Sequence, residues 1–375
     1  MHDDPANLAI GDRAPSCYGV SSGRRFYSFE EQYGRPALLL LIGAEAGAAT
    51  QPVVEGLLDC SEAFAARNAD VYLIVNDNPA AVLRPRPACA SIRAIDCGDF
   101  LARCGVERHQ GLLLLLDRNL RIAMRSSPSL EHVRACLGCL QALPQEVSRA
   151  VAMPAPAIVL PNLVAPALCR QLIALFESSP TIDGEVARID AKGQVCSVVD
   201  HAKKHRRDMM IEPGTALHQH LKQALLDRCA PEIARAFQAR VRHIDRILLS
   251  RYDDSGGWFR RHRDNVADNV AFREFALSLN LNTGAYQGGD LMFPEFNDHR
   301  HAPPAGGGII FSASVLHEAA PVTRGSRYVL LTFFHGDAAE ARRLAHDAAA
   351  RPALGSDRGE AGRAALPDAV TPAFA

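Results

Sequence analysis

FSASVLHEAAPVTRGSRYVLLTFF, residues 311–334, contains two short apolar runs joined by a loop of small and polar residues. The second run alternates, and one face of the strand that it predicts carries Arg327, Val329, Leu331 and Phe333. Similar short segments, separated by clusters of Gly, Asn, Asp and Pro, extend from about residue 246 to residue 335. This pattern is typical of an all-β sandwich or jelly roll.

Histidine and aspartate recur in this region at a spacing that suits one metal ion. In RYDDSGGWFRRHRDN (251–265), His262 and Asp264 are two residues apart, so their side chains point to the same side of an extended segment. The chain contains four His-x-Asp triplets where about one is expected by chance, so only the surroundings select this one. His317 follows 55 residues after His262. Two neutral imidazoles and one carboxylate form the facial triad of non-haem Fe(II) oxygenases, which leaves three coordination positions open.

A basic residue follows this candidate triad. Arg327 lies ten residues after His317, on the strand face that should point inward. A buried guanidinium is costly unless it pairs with a carboxylate. A dicarboxylate such as 2-oxoglutarate would supply one, and it suits the planar fork of arginine. Arg324 is a rival three residues earlier, but the distance from His317 and the strand pattern favour Arg327.

Residues 246–335 resemble the iron(II)/2-oxoglutarate dioxygenases of the prolyl 4-hydroxylase type. The resemblance rests on RYDDSGGWFRRHRD, LSLNLNTGAYQGGDLMFPE, PPAGGGIIFSASVLHEAAPV and RGSRYVLLTFF. It implies a double-stranded β-helix in which Fe(II) is held by His262, Asp264 and His317. It further implies that Arg327 binds the distal carboxylate of 2-oxoglutarate and that Tyr252 hydrogen-bonds the same co-substrate. O₂ is then the oxidant, and ascorbate is a candidate reductant.

The resemblance also implies a reaction: hydroxylation of an unactivated C–H bond in an amino-acid, peptidyl (prolyl included) or related substrate, with decarboxylation of 2-oxoglutarate to succinate. Because the ligating histidines must be neutral, acid pH should strip the metal. The expected partner is a small molecule, a peptide or a protein. The basic cluster DHAKKHRRDMM (200–210) is either solvated surface or a site for an anionic substrate. The oligomeric state is left open.

Nucleic acid is a disfavoured substrate. Base-demethylating members of the wider superfamily resemble an R-x-N-x-T-x-R pattern after the distal histidine. From Arg327 this chain reads RYVLLTF, with Val329 in place of the asparagine and Phe333 in place of the second arginine. Aromatic residues interleaved with the basic run, which would stack on bases, are also scarce.

The first 150 residues or so have a different pattern. PALLLLIG (36–43), VYLIV (71–75) and LLLLL (112–116) read as buried strands, and LRIAM continues the third into a hairpin. Amphipathic stretches separate the strands, and residues 130–143 read as a final helix. This order predicts a small α/β layer fold with a partly parallel sheet.

The N-terminal half resembles the thioredoxin-like fold of the peroxiredoxin type. The matching segments are GDRAP (11–15), RFYSFEE leading into the first strand, and GVERHQGLLLLLDRNLRIA (105–123). A redox cysteine should follow the first core strand at a helix N-terminus, where its pKa is lowered. The sequence there is AEAGAATQPV, without cysteine. Cys136 and Cys139 form a CxxC pair inside the last helix, which we interpret as packing, and any redox role of this pair is left open.

These observations leave two classes of function. In the first, residues 1–150 are a redox-inactive scaffold or binding unit and the C-terminal half is a dioxygenase. In the alternative, the chain is a redoxin-type thiol protein or a substrate-recruiting binding protein in which the N-terminal half carries the function. The missing cysteine argues against peroxidase chemistry in that half.

Composition sets outer limits on both classes. The chain has 375 residues, of which 48% are apolar and 22% charged, and a net charge of −1 that excludes a globally basic nucleic-acid binder. No apolar run approaches the ~18 residues of a membrane span. The acidic N-terminus lacks the pattern of a signal peptide. We therefore expect a cytoplasmic protein whose ten irregularly spaced cysteines are free thiols.

The expected organisation is multidomain. A thioredoxin-like unit should cover residues 1–150, and the dioxygenase domain should cover 156–337, with its catalytic core at 246–335. Helices in 156–237 would support that core. The Ala/Arg-rich tail, 338–375, should be largely disordered, although it can begin as a helix.

Overall fold

The computed structural model describes residues 8–21, 26–28, 34–76, 92–143, 152–189 and 195–350. Two large sheets divide these residues in chain order, one built from the N-terminal half and one from the C-terminal half. Within the described ranges, no helix combines the length and apolar character that crossing a bilayer requires.

The N-terminal half forms an α/β layer. Its strands are β1 (Tyr18–Ser21), β2 (Phe26–Ser28), β3 (Ala37–Ile42), β4 (Asp70–Val75), β5 (Ile92–Asp96), β6 (Gly111–Leu116) and β7 (Ile122–Ser126). Its helices are α1 (Gly47–Asp59), α2 (Ser61–Ala65), α3 (Gly98–Arg103) and α4 (Leu130–Ala142).

These strands form a seven-stranded sheet in the order β2-β1-β5-β4-β3-β6-β7. β3 pairs in parallel with β4 and antiparallel with β6, which turns back as the β6–β7 hairpin. All six residues of β3 are buried, because helices α1 and α4 cover one face and α3 covers the other. This order is that of the thioredoxin-like fold, so the predicted fold class of this half is confirmed.

The predicted elements of this half agree with the observed ones to within a few residues. The runs that begin at Pro36, Val71 and Leu112 became β3, β4 and β6, and the final helix is α4. Strands β1, β2 and β5 were not predicted. They are short, and β1 and β2 expose Tyr18, Val20 and Phe26, so they lack the continuous apolar signal of a central strand.

The C-terminal half is mostly antiparallel β-structure. Its first strands are β8 (Ala157–Leu160), β9 (Ile182–Asp183), β10 (Glu185–Ile189), β11 (Val195–Val199), β12 (Lys204–His205) and β13 (Arg207–Met210). They are followed by β14 (His243–Asp253), β15 (Trp258–His262), β16 (Phe275–Asn280), β17 (Gln287–Gly288), β18 (Leu291–Met292), β19 (Gly308–Ser312), β20 (His317–Ala319), β21 (Val322–Arg324) and β22 (Ser326–His335). The helices are α5 (Pro166–Ser178), α6 (Ala216–Phe237) and α7 (Asp337–Ala350), with a 3₁₀ turn at Asp268–Val270.

Two facing sheets make up the predicted double-stranded β-helix. The major sheet has the order β8-β19-β16-β22-β14-β13-β9, and the minor sheet has the order β12-β15-β20-β18. Between them lie two small apolar clusters, one around Phe293 and Phe311 and the other around Tyr252 and Val329. The remaining space between the sheets is a cavity.

The outer face of the major sheet is also buried. Helices α5 and α6 cover it, with Leu172 and Leu225 among the side chains that contact Leu277 and Leu330 of the sheet. Helices α5 and α6 are the supporting helices expected within 156–237. Strands β9–β13, which were not predicted, occupy the stretch between the two helices, and two of these strands extend the major sheet.

The two halves of the chain meet through buried ionic contacts. Arg121, next to β7, is 2% exposed and donates from Nη2 to the carbonyl oxygen of Arg228 in helix α6 at 2.6 Å. The same Nη2 lies 3.0 Å from Oε1 of Glu232, one helical turn further on, and Arg13 also pairs with Glu232. Nε of Arg228 donates to Asp12 at 2.9 Å.

The C-terminal helix α7 is formed by the first residues of the predicted tail. The prediction that the tail is largely disordered concerns mainly residues 351–375, which lie outside the described residues, as do the first seven residues of the chain.

Candidate active site

Two strands of the minor sheet bring the three predicted metal ligands together. β15 ends at His262, β20 begins at His317, and these two residues are direct partners in the antiparallel ladder. Asp264 follows β15, and its backbone N–H donates to the carbonyl oxygen of Ala313 at 2.9 Å. The ligand atoms of the three side chains all lie within 4.8 Å of one another.

Hydrogen bonds orient both imidazoles toward a common point. Nδ1 of His262 lies 2.7 Å from the carbonyl oxygen of Arg260, and Nδ1 of His317 lies 3.0 Å from that of Val315. Because a carbonyl only accepts, each Nδ1 must carry the proton, which leaves each Nε2 with a free lone pair. Both Nε2 atoms lie 3.4 Å from the carboxylate of Asp264. Such outer contacts fix the tautomer of histidines that bind metals.

The electrostatics of the site favour a neutral ring for His317 and an ionised carboxylate for Asp264. Burial lowers the pKa of His317 to about 4, although the charge of Asp264 opposes this shift. For Asp264 burial alone would raise the pKa, but His317 and His262 together hold it well below the usual range of a carboxylic acid. At neutral pH, His317 and Asp264 therefore have the protonation states that a divalent cation requires.

Arg327 and Tyr252 lie side by side at one end of the cavity. They are direct partners in the β14–β22 ladder, and the guanidinium carbon of Arg327 lies 5.4 Å from the centre of the Tyr252 ring. Arg327 is 3% exposed. Its Nη2 donates to Oδ1 of Asn280 at 2.8 Å and more weakly to Oγ of Ser278 at 3.3 Å. Within the described ranges, no carboxylate pairs with this guanidinium.

The rival arginine does not reach the cavity. Arg324 is exposed on β21, three residues before Arg327. The inward direction predicted for Arg327 is therefore the observed one.

Several polar groups of the site were not predicted. Nη1 of Arg206, on the segment between β12 and β13, donates to the hydroxyl of Tyr252 at 2.7 Å, and its Nε lies 2.7 Å from Oδ1 of Asp208. Lys204, Arg206 and Asp208 are all buried, so this part of the 200–210 cluster is not solvated surface. The signal for Ser278 and Asn280 was present in LSLNLN, where every second residue is polar.

These groups line a cavity of about 540 Å³ between the two sheets. This volume is within the range of sites for small molecules. Seven basic and four acidic residues line the cavity, together with apolar side chains that include Phe259, Phe311 and Phe333. The triad, Arg327 and Tyr252 all belong to the lining.

The other predicted features of the N-terminal half are where the sequence placed them. Cys136 and Cys139 lie inside helix α4, and Cys136 is fully buried. Burial raises the pKa of its thiol to about 12, which makes it a poor nucleophile at neutral pH. The residues between β3 and helix α1 are Gly43–Ala46, again without cysteine.

Comparison with known proteins gives a family match for the C-terminal region. Residues 247–335 match the family described as the 2OG-Fe(II) oxygenase superfamily. The C-terminal region therefore contains a 2OG-Fe(II) oxygenase domain, whose family implies Fe(II), 2-oxoglutarate and O₂. A PKHD-type hydroxylase of Methylobacterium nodulans is 28% identical over 179 residues, which are 45% of this chain and 73% of that protein.

Two solved structures are similar to different parts of the chain. A prolyl-4-hydroxylase of Pseudomonas putida aligns over 48% of this chain and 93% of its own, with 22% identity and a TM-score of 0.37. The peroxidoxin BcpB of Mycobacterium tuberculosis aligns over 37% of this chain and 100% of its own, with 14% identity and a TM-score of 0.32.

Proposed function

We propose that the chain hydroxylates an unactivated C–H bond of an amino-acid, peptidyl (prolyl included) or related substrate and couples this reaction to the decarboxylation of 2-oxoglutarate to succinate. One observation carries the proposal. The same cavity holds a cluster of two imidazoles and one carboxylate and, at one end, a buried guanidinium that lacks an anionic partner among the described residues.

Fe(II) fits this donor set. The ligand atoms of His262, Asp264 and His317 come from one imidazole pair and one carboxylate, and two-His-one-carboxylate sites are typical of non-haem iron. The two rings present unprotonated Nε2 atoms, and the backbone carbonyls behind them hold their orientation. We assign the three residues as the iron ligands.

The co-substrate fits the polar groups around Arg327 and Tyr252, at one end of the cavity. Arg327 offers a planar fork of donors to the distal carboxylate of 2-oxoglutarate. Because Arg206 donates to the Tyr252 hydroxyl oxygen, the hydroxyl proton of Tyr252 is left to donate to the same carboxylate. Asn280 positions Arg327 from behind, and its own amide nitrogen is fixed by Thr283 and Tyr286.

The protein's part in the reaction is geometric and electrostatic. When bound, iron supplies the activation of O₂ and the oxidation of the C–H bond. Asp264 contributes the single negative charge of the ligand set. Arg327 and Tyr252 would hold the distal carboxylate of 2-oxoglutarate, so that the other end of the molecule reaches the three metal-binding side chains. Phe259, stacked on the ring of His262 at 3.4 Å, and Phe311, 4.6 Å from the ring of His317, shield the ligands from water.

The test uses succinate formation, which needs no known substrate if slow uncoupled turnover occurs. With Fe(II), 2-oxoglutarate and O₂, we expect the full-length chain to form succinate, and we expect His262→Ala and Asp264→Ala to abolish it. His201→Ala, which alters a histidine outside the cavity lining, is the matched control. Unchanged turnover in the two ligand variants would reject the assignment. If the wild-type chain forms succinate and the two ligand variants do not, mass spectrometry for a product heavier by one oxygen atom would identify the substrate. Ascorbate would be tested as the reductant in the same reactions.

We also propose that residues 1–150 form a redox-inactive unit joined to a catalytic domain at 156–337. The lack of cysteine between β3 and α1 supports this division, as does the buried position of Cys136. A peroxidase assay tests the alternative thiol function. Peroxide consumption that depends on Cys60 or on the Cys136–Cys139 pair would contradict the proposal.

A further inference from the structure

Arg246 is a second guanidinium of the cavity for which the described residues provide no ion pair. Arg246 lines the same cavity, and burial together with the charge of Arg273 lowers the pKa of its guanidinium. Its Nε is shielded from solvent and has no hydrogen-bond partner among the residues that the structure describes. Within the part of the chain that the structure describes, Arg246 forms no ion pair within 4 Å.

The other basic groups close to Arg246 are already neutralised. Arg273 is bound by Asp245, whose Oδ2 lies 2.6 Å from Nη2 and 2.9 Å from Nε. Arg206 lies against Asp208. Asp245 therefore forms its ion pair with Arg273, although Asp245 and Arg246 are adjacent in sequence. If Arg327 binds the co-substrate, the half-buried Arg246 is the guanidinium of the cavity that remains for another anion.

A β-bulge places Arg246 on the cavity side of the major sheet. Ile244 pairs with Phe334 and Ile247 pairs with Thr332, so the two residues between them lie opposite Phe333 alone. A bulge of this kind turns side chains away from strict alternation and often occurs beside active sites. The guanidinium carbon of Arg246 lies 5.9 Å from the centre of the Phe333 ring.

In strand register, the backbone of Arg246 lies level with Phe311, whose ring contacts the ligand His317, and not with Arg327. Ala276 pairs with both Phe311 and Phe333, and the Phe311 ring lies 4.6 Å from that of His317. From Phe311 to Arg246 there are three strand spacings, roughly 14 Å between backbones. In the other direction, Phe333 and Arg327 are six residues apart on β22, about 20 Å along the strand.

We propose that Arg246 binds the carboxylate of a small free acid, amino acids included, and so selects the primary substrate. The inference rests on the proposed function. A guanidinium recognises a carboxylate through two parallel hydrogen bonds, which fixes both position and orientation. The substrate would extend from Arg246 across Ala276, whose small side chain leaves room, toward the ligand His317. The cavity volume of about 540 Å³ suits a small acid beside the co-substrate.

The experiment compares acids with their amides on the full-length, Fe(II)-loaded protein. The probes are the free L-amino acids and monocarboxylic acids of three to six carbons, each paired with its primary carboxamide. We expect at least one acid to stimulate succinate formation while its amide does not. In Arg246→Gln the kcat/KM for that acid should fall on the order of 100-fold. The KM for 2-oxoglutarate should stay within about twofold, and Arg246→Lys should recover part of the loss.

Arg242→Gln is the matched control, because Arg242 is exposed, pairs with Asp337 and does not line the cavity. It removes the same charge and should keep the stimulation. The proposal is overturned if amides stimulate as well as acids, if no acid stimulates, or if Arg246→Gln keeps the stimulation. It is also overturned if Arg246→Gln loses 2-oxoglutarate affinity, since Arg246 would then serve the co-substrate. A wild-type protein that forms no succinate at all contradicts the proposed function instead.

Discussion

At the scale of single residues, the strongest dependence should be on Arg327. Its guanidinium is buried and donates only to the neutral groups of Asn280 and Ser278 among the described residues. We therefore expect Arg327→Gln to raise the KM for 2-oxoglutarate on the order of 100-fold, because a buried charge-assisted pair is lost. Arg324→Gln removes the same charge from an exposed position of the same chain segment and should leave the KM within about twofold. Steady-state kinetics of succinate formation would measure both variants, and equal KM values would refute the role of Arg327.

His317 should make the metal-free protein sensitive to acid. Burial lowers its pKa in the folded state to about 4, while the histidine of an unfolded chain titrates near its usual pKa of about 6.5. Between these values the unfolded chain binds more protons, so the stability that His317 contributes is present above about pH 6.5 and is lost as the pH falls toward about 4.

Thermal melting in the presence of a chelator measures this effect. The wild-type Tm should fall between pH 6.5 and pH 4 more steeply than that of His317→Gln, which cannot bind the proton. Parallel curves for the two proteins would show that another group is responsible. The chelator is essential, because a bound cation would hold the ring neutral by itself.

At the scale of elements, strand β22 shows which structural features the sequence pattern predicts and which it does not. Alternation predicted that Arg327, Val329, Leu331 and Phe333 face inward; Leu331 is half-buried and the other three are buried. The opposite face is apolar too, because α5 and α6 cover it, and the alternation of one strand does not identify the element that covers each face. The α/β order of the N-terminal half could be predicted because its central strands are buried on both faces and are therefore uniformly apolar.

What the sequence did not predict depends on contacts between distant segments. Strands β9 and β13 are short, and they become strands through pairing with each other and with β14. Ser278 and Asn280 become part of the site only when β16 lies beside β22 in the observed register. The orientation of Arg246 depends on a bulge, and a bulge does not follow from local alternation.

The connection between β17 and β18 supports the co-substrate anchor. Gly289 has φ +70°, and a Cβ atom there would lie 2.9 Å from Cδ of Arg327. Gly289→Ala should therefore displace Arg327 and raise the KM for 2-oxoglutarate several-fold. Alanine at a positive φ also meets roughly 1 kcal/mol of backbone strain, which is separate from the effect on Arg327. Gly284→Ala is a matched control, because Gly284 has φ +98° and no atom within 4 Å of the added Cβ. If the two variants change KM equally, the contact with Arg327 is not responsible.

At the scale of the whole molecule, the two halves are joined by charges that are almost inaccessible to water. Glu232 of α6 is 5% exposed and pairs with Arg121, Arg13 and Arg235. Gly11 approaches the C-terminal half so closely that an added Cβ would lie 1.9 Å from the carbonyl oxygen of Asn162. The N-terminal half is thus packed against α6, the helix that also covers the outer face of the major sheet.

Removing the charge of Glu232 should therefore destabilise the full-length protein. Glu232→Gln keeps the shape of the side chain but leaves the buried Arg121 without its carboxylate, which costs about 3–5 kcal/mol when one member of a buried pair is lost. Urea denaturation of the full chain would measure this loss. The matched control is Arg108→Gln, which breaks an exposed pair with Glu45 and should cost less than about 1 kcal/mol. If Glu232→Gln were no more destabilising than Arg108→Gln, the buried ionic contacts would not stabilise the junction between the two halves.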